Sequence, residues 1–292
     1  MSVVICTYNG ANRIRRAVES VLQQQDPPEF EVIIVDSASP DRTAEVCHAL
    51  VQGSPPVRYV REPVPGLSRA RNRGLREARG DIVAFLDDDA EVVPTWAGAI
   101  AGCLAETGAD AVGGRVLARP DGVVPPWLRR ARRFGVDDEG SWDLGAHRLG
   151  PVNMVIGANM AFTGPCLQRL CFPEQLGSIG QRKIAGDETL VCHRLRAAGA
   201  AIYYDPEATA LHHIDPRRWR FLAYVRQLFW AGLGKTLTDR QACALAAQPA
   251  TRPAGGGSPP TAWGLADYVL ALPYAAGRLA GYLVRVAKEP GQ

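Results

Sequence analysis

The 292-residue chain carries 33 basic and 30 acidic side chains, a formal net charge of +3, with 47% apolar and 22% charged residues. This is the composition of a soluble globular protein with room for a sizeable core, and the charge is too balanced to argue for nucleic acid as a partner. Seven cysteines contain no Cys-x-x-Cys pair, which argues against a zinc or disulfide frame and predicts reduced, buried thiols in a cytoplasmic protein.

In chain order, residues 2–6 are a short apolar run closed by Thr7, Asn9 and Gly10, read as a buried strand. No basic flank precedes the run, so it is not read as a signal peptide. Ile14, Ala17, Val18, Val21 and Leu22 follow at helical spacing until Pro27-Pro28 stops them. Residues 30–35 form a second apolar run that ends in Asp36, 41–51 a helix and 57–61 a third strand. An arginine-rich helix over 67–78 and a strand over 81–86 follow, and the strand runs into Asp87-Asp88-Asp89. Strands alternating with helices predict an α/β fold, a Rossmann-like, mostly parallel sheet with helices on both faces. Ligands then collect at the carboxyl ends of the strands, where Thr7, Tyr8, Asn9, Asp36 and the three aspartates all emerge.

The second half is less regular. Residues 118–150 read as loops over the site, 152–162 as a strand carrying Gly157-Ala158-Asn159, and 177–186 as a mobile loop. A helix over 187–198 is followed by two short strands, 200–204 and 208–211, the second ending in His212-His213. Residues 217–233 are amphipathic and rich in aromatics. The arginines at 129, 130, 132, 133 and at 217, 218, 220 read as solvated faces. The expected organisation is a catalytic domain over 1–233 (donor half 1–117, acceptor half 118–233), a linker over 234–261 and an amphipathic helix within 262–292. The linker's 247–261 stretch is rich in Pro and Gly. Pro273 and Arg278 interrupt the tail, so the expectation is a helix lying on a membrane's inner face or packing on the domain, not a span.

Three adjacent carboxylates in a crevice repel one another, and a divalent cation relieves that repulsion. Hard oxygen ligands suit Mg²⁺ or Mn²⁺. Side chains alternate along an extended segment, which turns Asp87 and Asp89 the same way. A cation held there can bridge a diphosphate and stabilise its departure, while Asp36 accepts hydrogen bonds from a base or ribose. Three rival classes fit the sequence less well. A hydrolase also uses paired carboxylates but leaves the acidic run at a parallel strand end unexplained. A nucleotidyltransferase needs a glycine-rich basic loop where this chain reads Thr7-Tyr8-Asn9-Gly10. A non-catalytic nucleotide-sugar-binding protein would lack the acidic groups that are present.

Four ordered blocks carry a resemblance: residues 2–10 (SVVICTYNG), 32–36 (VIIVD), 66–74 (GLSRARNRG) and 80–89 (GDIVAFLDDD). Together they resemble family 2 glycosyltransferases, which have the GT-A fold, over residues 1–230. The resemblance implies a nucleotide-diphospho-sugar donor, such as a UDP-sugar, a divalent metal and inversion at the anomeric carbon. It places Asp36 on the nucleotide base, Asp87 and Asp88 at the donor, and Asp89 on the metal with Asp87. It also puts Arg69, Arg71 and Asn72 near the donor and Gly157, Ala158 and Asn159 on the acceptor side. The run Gly186-Asp187-Glu188 is similar to the family's helix start that supplies the catalytic base. The family's Glu-Asp order is reversed here, and either Asp187 or Glu188 fits. His212, in preference to His213, is expected to complete the metal shell. Trp142, Trp219 and Trp230 are candidate sugar platforms, and Arg182 and Lys183 candidate diphosphate contacts. Acceptor and sugar stay open, with glycan or lipid-linked acceptors in polysaccharide or glycoconjugate synthesis the favoured setting.

Overall fold

The computed structural model describes residues 1–125, 140–180 and 182–246, with side chains up to 239, together with 273, 275 and 276. The arginines at 129–133, the 247–261 stretch and nearly all of the tail lie outside the described residues.

One sheet of eight strands organises the molecule, in the order β3-β2-β1-β4-β7-β6-β10-β5. Its first half is parallel throughout: β1 (Ser2–Thr7), β2 (Glu31–Ser37), β3 (Val57–Glu62) and β4 (Ile82–Asp87). Those strands read as unbroken apolar runs because both faces are covered. Val3, Ile5, Val32 and Ile34 pack against α1 (Ile14–Leu22), α2 (Thr43–Gly53) and α4 (Trp96–Thr107) on one side. Val4, Ile33, Val35 and Phe85 meet α3 (Leu67–Glu77) and α6 (Asp187–Ala197) on the other. The alternation of adjacent residues between the two clusters is the pleat expressed as packing. Cys47, Cys103, Cys166 and Cys192 are buried and free, whereas Cys171 is free and exposed.

The second half turns the sheet mixed. β7 (Asn159–Thr163) runs antiparallel between β4 and β6 (Ala111–Pro120). After β7 come a five-residue helix α5 (Pro165–Arg169), then β8 (Gly177–Ile179) and β9 (Arg182–Ile184), α6 and β10 (Ile202–Ile214). A single-turn 3-10 helix (Pro216–Trp219) leads into α7 (Phe221–Ala246).

Three expectations are corrected here. The stretch from 177 to 186, expected as a mobile loop, contains an antiparallel hairpin of β8 and β9, held where Arg182 stacks 5.9 Å from the Trp230 ring centre on α7. The two short strands expected over 200–211 are one strand, β10, whose pairing with β6 slips between Asp205 and Ala210. Pro206 has no N–H for the ladder, so the chain bulges and then resumes. Finally, residues 234–246, expected within the linker, continue α7. Thr236 and Thr238 are buried there, against a reading of the segment as solvated chain. Among the described residues no helix is long and apolar enough to cross a membrane.

Candidate active site

A cavity of about 490 Å³ opens at the carboxyl ends of the parallel strands. Thr7, Tyr8, Asp87, Asp88, Asp89, Arg71, Gly157, Ala158, Lys183, Asp187, Glu188 and His212 all line it, so residues up to two hundred positions apart share one wall.

The acidic run divides its labour as the pleat dictates. Asp88 turns back toward β1, where it takes the Arg13 Nε at 2.7 Å and the Thr7 hydroxyl. Burial lifts its carboxyl to about 6 against the pull of Arg13. Asp87 and Asp89 face the cavity and converge with His212, each offering one ligand atom, all within 4.8 Å of one another. The convergence comes from topology. The three-residue strand β5 (Ala90–Val92) doubles back against β10, placing Ala90 opposite His212 and leaving Asp89 Oδ1 3.2 Å from His212 Nε2. Burial alone would raise Asp89; the hydrogen bond and charge of His212, helped by Arg218 and Arg13, outweigh it and hold the group at about 2. His213, one residue on, points to the other face and meets Glu91 and Asp121.

His212 is oriented from behind. Its Nδ1 lies 3.1 Å from the Gly140 carbonyl, which holds a proton on Nδ1 and turns Nε2 toward Asp89, so that Nε2 can serve as a ligand once it gives up the proton it shares with that carboxylate. Gly140 has φ +66°, and a Cβ there would stand 2.6 Å from Nδ1, so the approach depends on glycine. Two carboxylates and an imidazole with a fixed tautomer are a donor set that accepts Mg²⁺ or Mn²⁺.

Opposite this cluster, α6 begins at Gly186 in a left-handed conformation (φ +109°), where a Cβ would collide with Thr238 of α7. The tight start presents Asp187 and Glu188 at the helix N-terminus, whose dipole favours negative charge. The structure separates the two. Asp187 is buried and bound to Arg71 Nη1 at 2.6 Å, with the Ser68 hydroxyl at 3.4 Å. Glu188 faces the cavity, and burial first, then the charge and hydrogen bond of Asp187, push it up to about 8.

Arg71, itself only 3% exposed, ties the two halves together. Its second arm reaches Asp87 at 3.5 Å and the Gly157 carbonyl at 3.1 Å. A Cβ on Gly157 would sit 2.4 Å from that guanidinium. The small residue there makes room for Arg71.

Several expected site residues lie elsewhere. Asn159 is sealed in the sheet, accepting from Trp96 Nε1 and donating to the Arg115 and Ala208 carbonyls. Asn72 is clamped to the backbone of Phe172, and Arg69 pairs with Glu174 at 2.7 Å. Asn9 donates its backbone N–H to Ser39, and Asp36 is fully buried, accepting from the Tyr59 hydroxyl and the Ser39 N–H. Ser37, next along, lines the cavity in place of Asp36. None of the three candidate tryptophans lines it: Trp142 packs edge-on against Tyr204, Trp219 is buried and Trp230 carries Arg182. Arg13 and Arg218 line the cavity without having been expected there. Arg13 follows the Asn9-Gly10 turn by a few residues, a usable signal; Arg218 stood in a cluster that reads as solvent-facing.

The sequence model of glycosyl transferase family 2 matches residues 2–161, just over half of the chain. The chain belongs to this family. Among characterised relatives of this family 2 glycosyltransferase, the glucosyl-dolichyl phosphate glucuronosyltransferase of Haloferax volcanii is 28% identical over 250 residues, 82% of this chain and 77% of that protein. An uncharacterized glycosyltransferase of Escherichia coli, YibD, is 38% identical over 95 residues, 32% of this chain and 27% of that one. Among solved structures, Staphylococcus aureus TarS 1–349 superposes with a TM-score of 0.60 at 16% identity, covering 97% of this chain and 71% of that one. The mannosyltransferase PcManGT of Pyrobaculum calidifontis, solved with GDP-Man and Mn²⁺, gives 0.59 at 21% identity over 98% and 86%. These likenesses show the GT-A glycosyltransferase fold.

Proposed function

We propose that the chain is an inverting, metal-dependent transferase that moves a sugar from a nucleoside-diphospho-sugar to an acceptor hydroxyl, with Glu188 as its base. The observation that carries the reading is the facing pair in one cavity, a cluster able to hold a cation (Asp87, Asp89, His212) opposite the cavity-lining carboxylate of Glu188. Neighbours of the same fold support the donor class: TarS has been solved with UDP-GlcNAc and PcManGT with GDP-Man and Mn²⁺.

The nucleoside end lies over Thr7, Tyr8 and Ser37, and Asp36 acts from beneath by holding the 37–39 turn in shape. Asp87, Asp89 and His212 would hold a divalent cation, which would supply Lewis-acid charge for a diphosphate leaving group. Arg218, beside Asp89, adds a cation on the same side. Arg71 sets Asp187 and Asp87 at a fixed separation, so the donor and base walls are held in register. Glu188 takes the acceptor's proton as the oxygen attacks from the face opposite the diphosphate. The named relative acts on a glucosyl-dolichyl phosphate, which favours a lipid-linked or other glycan acceptor here and a role in polysaccharide or glycoconjugate synthesis.

Two consequences are measurable. Glu188 works only when ionised, so turnover at saturating substrate rises with pH through its raised pKa of about 8. Asp187→Asn removes the neighbouring charge that helps raise it, and the rising limb moves to lower pH. A rate independent of pH from 6 to 9 places the base elsewhere. Gly140→Ala pushes a Cβ against His212 Nδ1, and disturbing such a supporting contact costs about 10–100-fold in metal affinity. Titration of Mn²⁺ by electron paramagnetic resonance reads this directly, and unchanged affinity removes His212 from the shell.

A further inference from the structure

His212 and His213 stand side by side near the end of β10, and only the first faces the cavity. His213 is buried on the opposite face of the sheet, its side chain 4% exposed, and the proposed reaction makes no use of it. Its contacts nonetheless run to the segment that carries the acidic run. The backbone N–H of His213 donates to the Asp89 carbonyl at 2.8 Å. Its ring lies between two carboxylates. Nδ1 is 3.1 Å from Asp121 Oδ1, and Nε2 is 2.8 Å from Glu91 Oε1, within ion-pair range but off the line of a hydrogen bond. Glu91 belongs to β5 and Asp121 directly follows β6, the two strands that flank β10, so one imidazole spans both.

β5 needs such a hold. It is three residues long and lies at the edge of the sheet, paired with β10 alone among the described strands. The pairing sets Ala90 opposite His212 and Glu91 opposite Leu211. Residues opposite one another in an antiparallel pair share a face. Continuing the ladder by one position would therefore turn Asp89 to the face of His213, away from the cavity. Instead the chain turns at Asp88 and Asp89. The Asp89 carbonyl stays on His213, while its carboxylate reaches His212 Nε2 at 3.2 Å on the other face. The shape of the cation cluster thus depends on how firmly the backbone is held on both sides of Ala90. His213 holds residue 89 through its own backbone and residue 91 through its ring. Arg16 of α1, 3.1 Å from the same Glu91 oxygen, backs the second contact.

We propose that His213 is a positioning residue of the cation site: its ring, seated on Glu91, sets the turn that presents the Asp89 carboxylate to His212. The tandem histidines divide into a ligand and its brace. The inference rests on reading Asp87, Asp89 and His212 as a cation site, but not on catalysis, and binding of Mn²⁺ alone reports it.

The experiment is titration of the full chain with Mn²⁺, followed by electron paramagnetic resonance, for wild type, His213→Asn and His213→Gln. Glutamine carries its amide nitrogen about as far out as Nε2 and can still meet Glu91, whereas asparagine reaches only as far as Nδ1. His213→Asn is expected to weaken Mn²⁺ binding by about 10–100-fold, the usual effect of losing a supporting contact, with His213→Gln close to wild type. Glu91→Ala removes the other partner and is expected to reproduce the loss. Combined with His213→Asn it should add little, because both changes remove one contact. If His213→Asn fails to fold, Glu91→Ala set against Glu91→Gln makes the same comparison from the β5 side. Wild-type affinity in folded His213→Asn or Glu91→Ala overturns the brace and leaves the cation site standing. Equal losses in His213→Asn and His213→Gln also overturn it, since packing alone then accounts for the effect. Wild-type protein that binds no Mn²⁺ overturns the cation reading itself, and this inference with it.

Discussion

Glu188→Gln is expected to lower turnover by about 10²–10⁴-fold, the range of a lost general base, while leaving donor affinity close to wild type. The physical reason is the division of the acidic pair at the start of α6. Asp187 already carries a charge-assisted bond from Arg71 at 2.6 Å and is nearly sealed from solvent. A carboxylate so neutralised is a poor proton acceptor. Glu188 has no such partner, lines the cavity, and is raised by burial and by the Asp187 charge toward the pH at which it must work. Glutamine keeps size and hydrogen bonding but cannot take a proton. Asp187→Asn gives the opposite pattern. It weakens a buried ion pair that joins α3 to α6, so the melting temperature falls and donor affinity suffers along with turnover. Isothermal titration with UDP and Mn²⁺ beside steady-state kinetics separates the cases. A Glu188→Gln enzyme that turns over at near wild-type rate transfers the role to Asp187 or to a group outside the pair.

Asp89→Ala should remove both metal-dependent nucleotide binding and turnover, the latter by on the order of 10³-fold, which corresponds to the several kcal/mol that Lewis-acid stabilisation supplies. Asp89 is ionised at any working pH because His212, Arg218 and Arg13 together outweigh its burial. Without it, Asp87 and His212 are left as two donors of the cluster, and Asp87 is already drawn toward Arg71. Asp88→Asn offers the control. Its carboxylate serves Arg13 and Thr7, so the change should lower stability more than metal affinity. Wild-type protein in chelator should reproduce the Asp89→Ala phenotype. An Asp89→Ala enzyme that transfers sugar at near wild-type rate in chelator would falsify the metal assignment.

Much of the donor half was legible in the residue order because its signals are local. An apolar run covered on both faces, a helix-spaced stripe and a carboxylate at a strand end each declare themselves within a dozen residues. The mostly parallel sheet and the outward pairing of Asp87 with Asp89 follow from that reading and from the alternation of an extended chain, whereas the GT-A fold follows from the family resemblance, and alternation says only that one of His212 and His213 faces the site. The same logic failed for Asn159, because alternation says that a residue faces one side but not what already occupies it. Trp96 and two backbone carbonyls, from distant segments, hold that amide inside the sheet.

The order of residues by itself determined the family, the strand-end crevice and the set of acidic groups that could act there. Only the tertiary structure decided which of them are free. Arg71 reaches across 116 positions to Asp187, and that one buried ion pair makes Asp187 a support and leaves Glu188 as the open carboxylate. Proton affinity depends on burial and on charges a few ångströms away, and neighbours at that range are set by folding, not by adjacency in the chain.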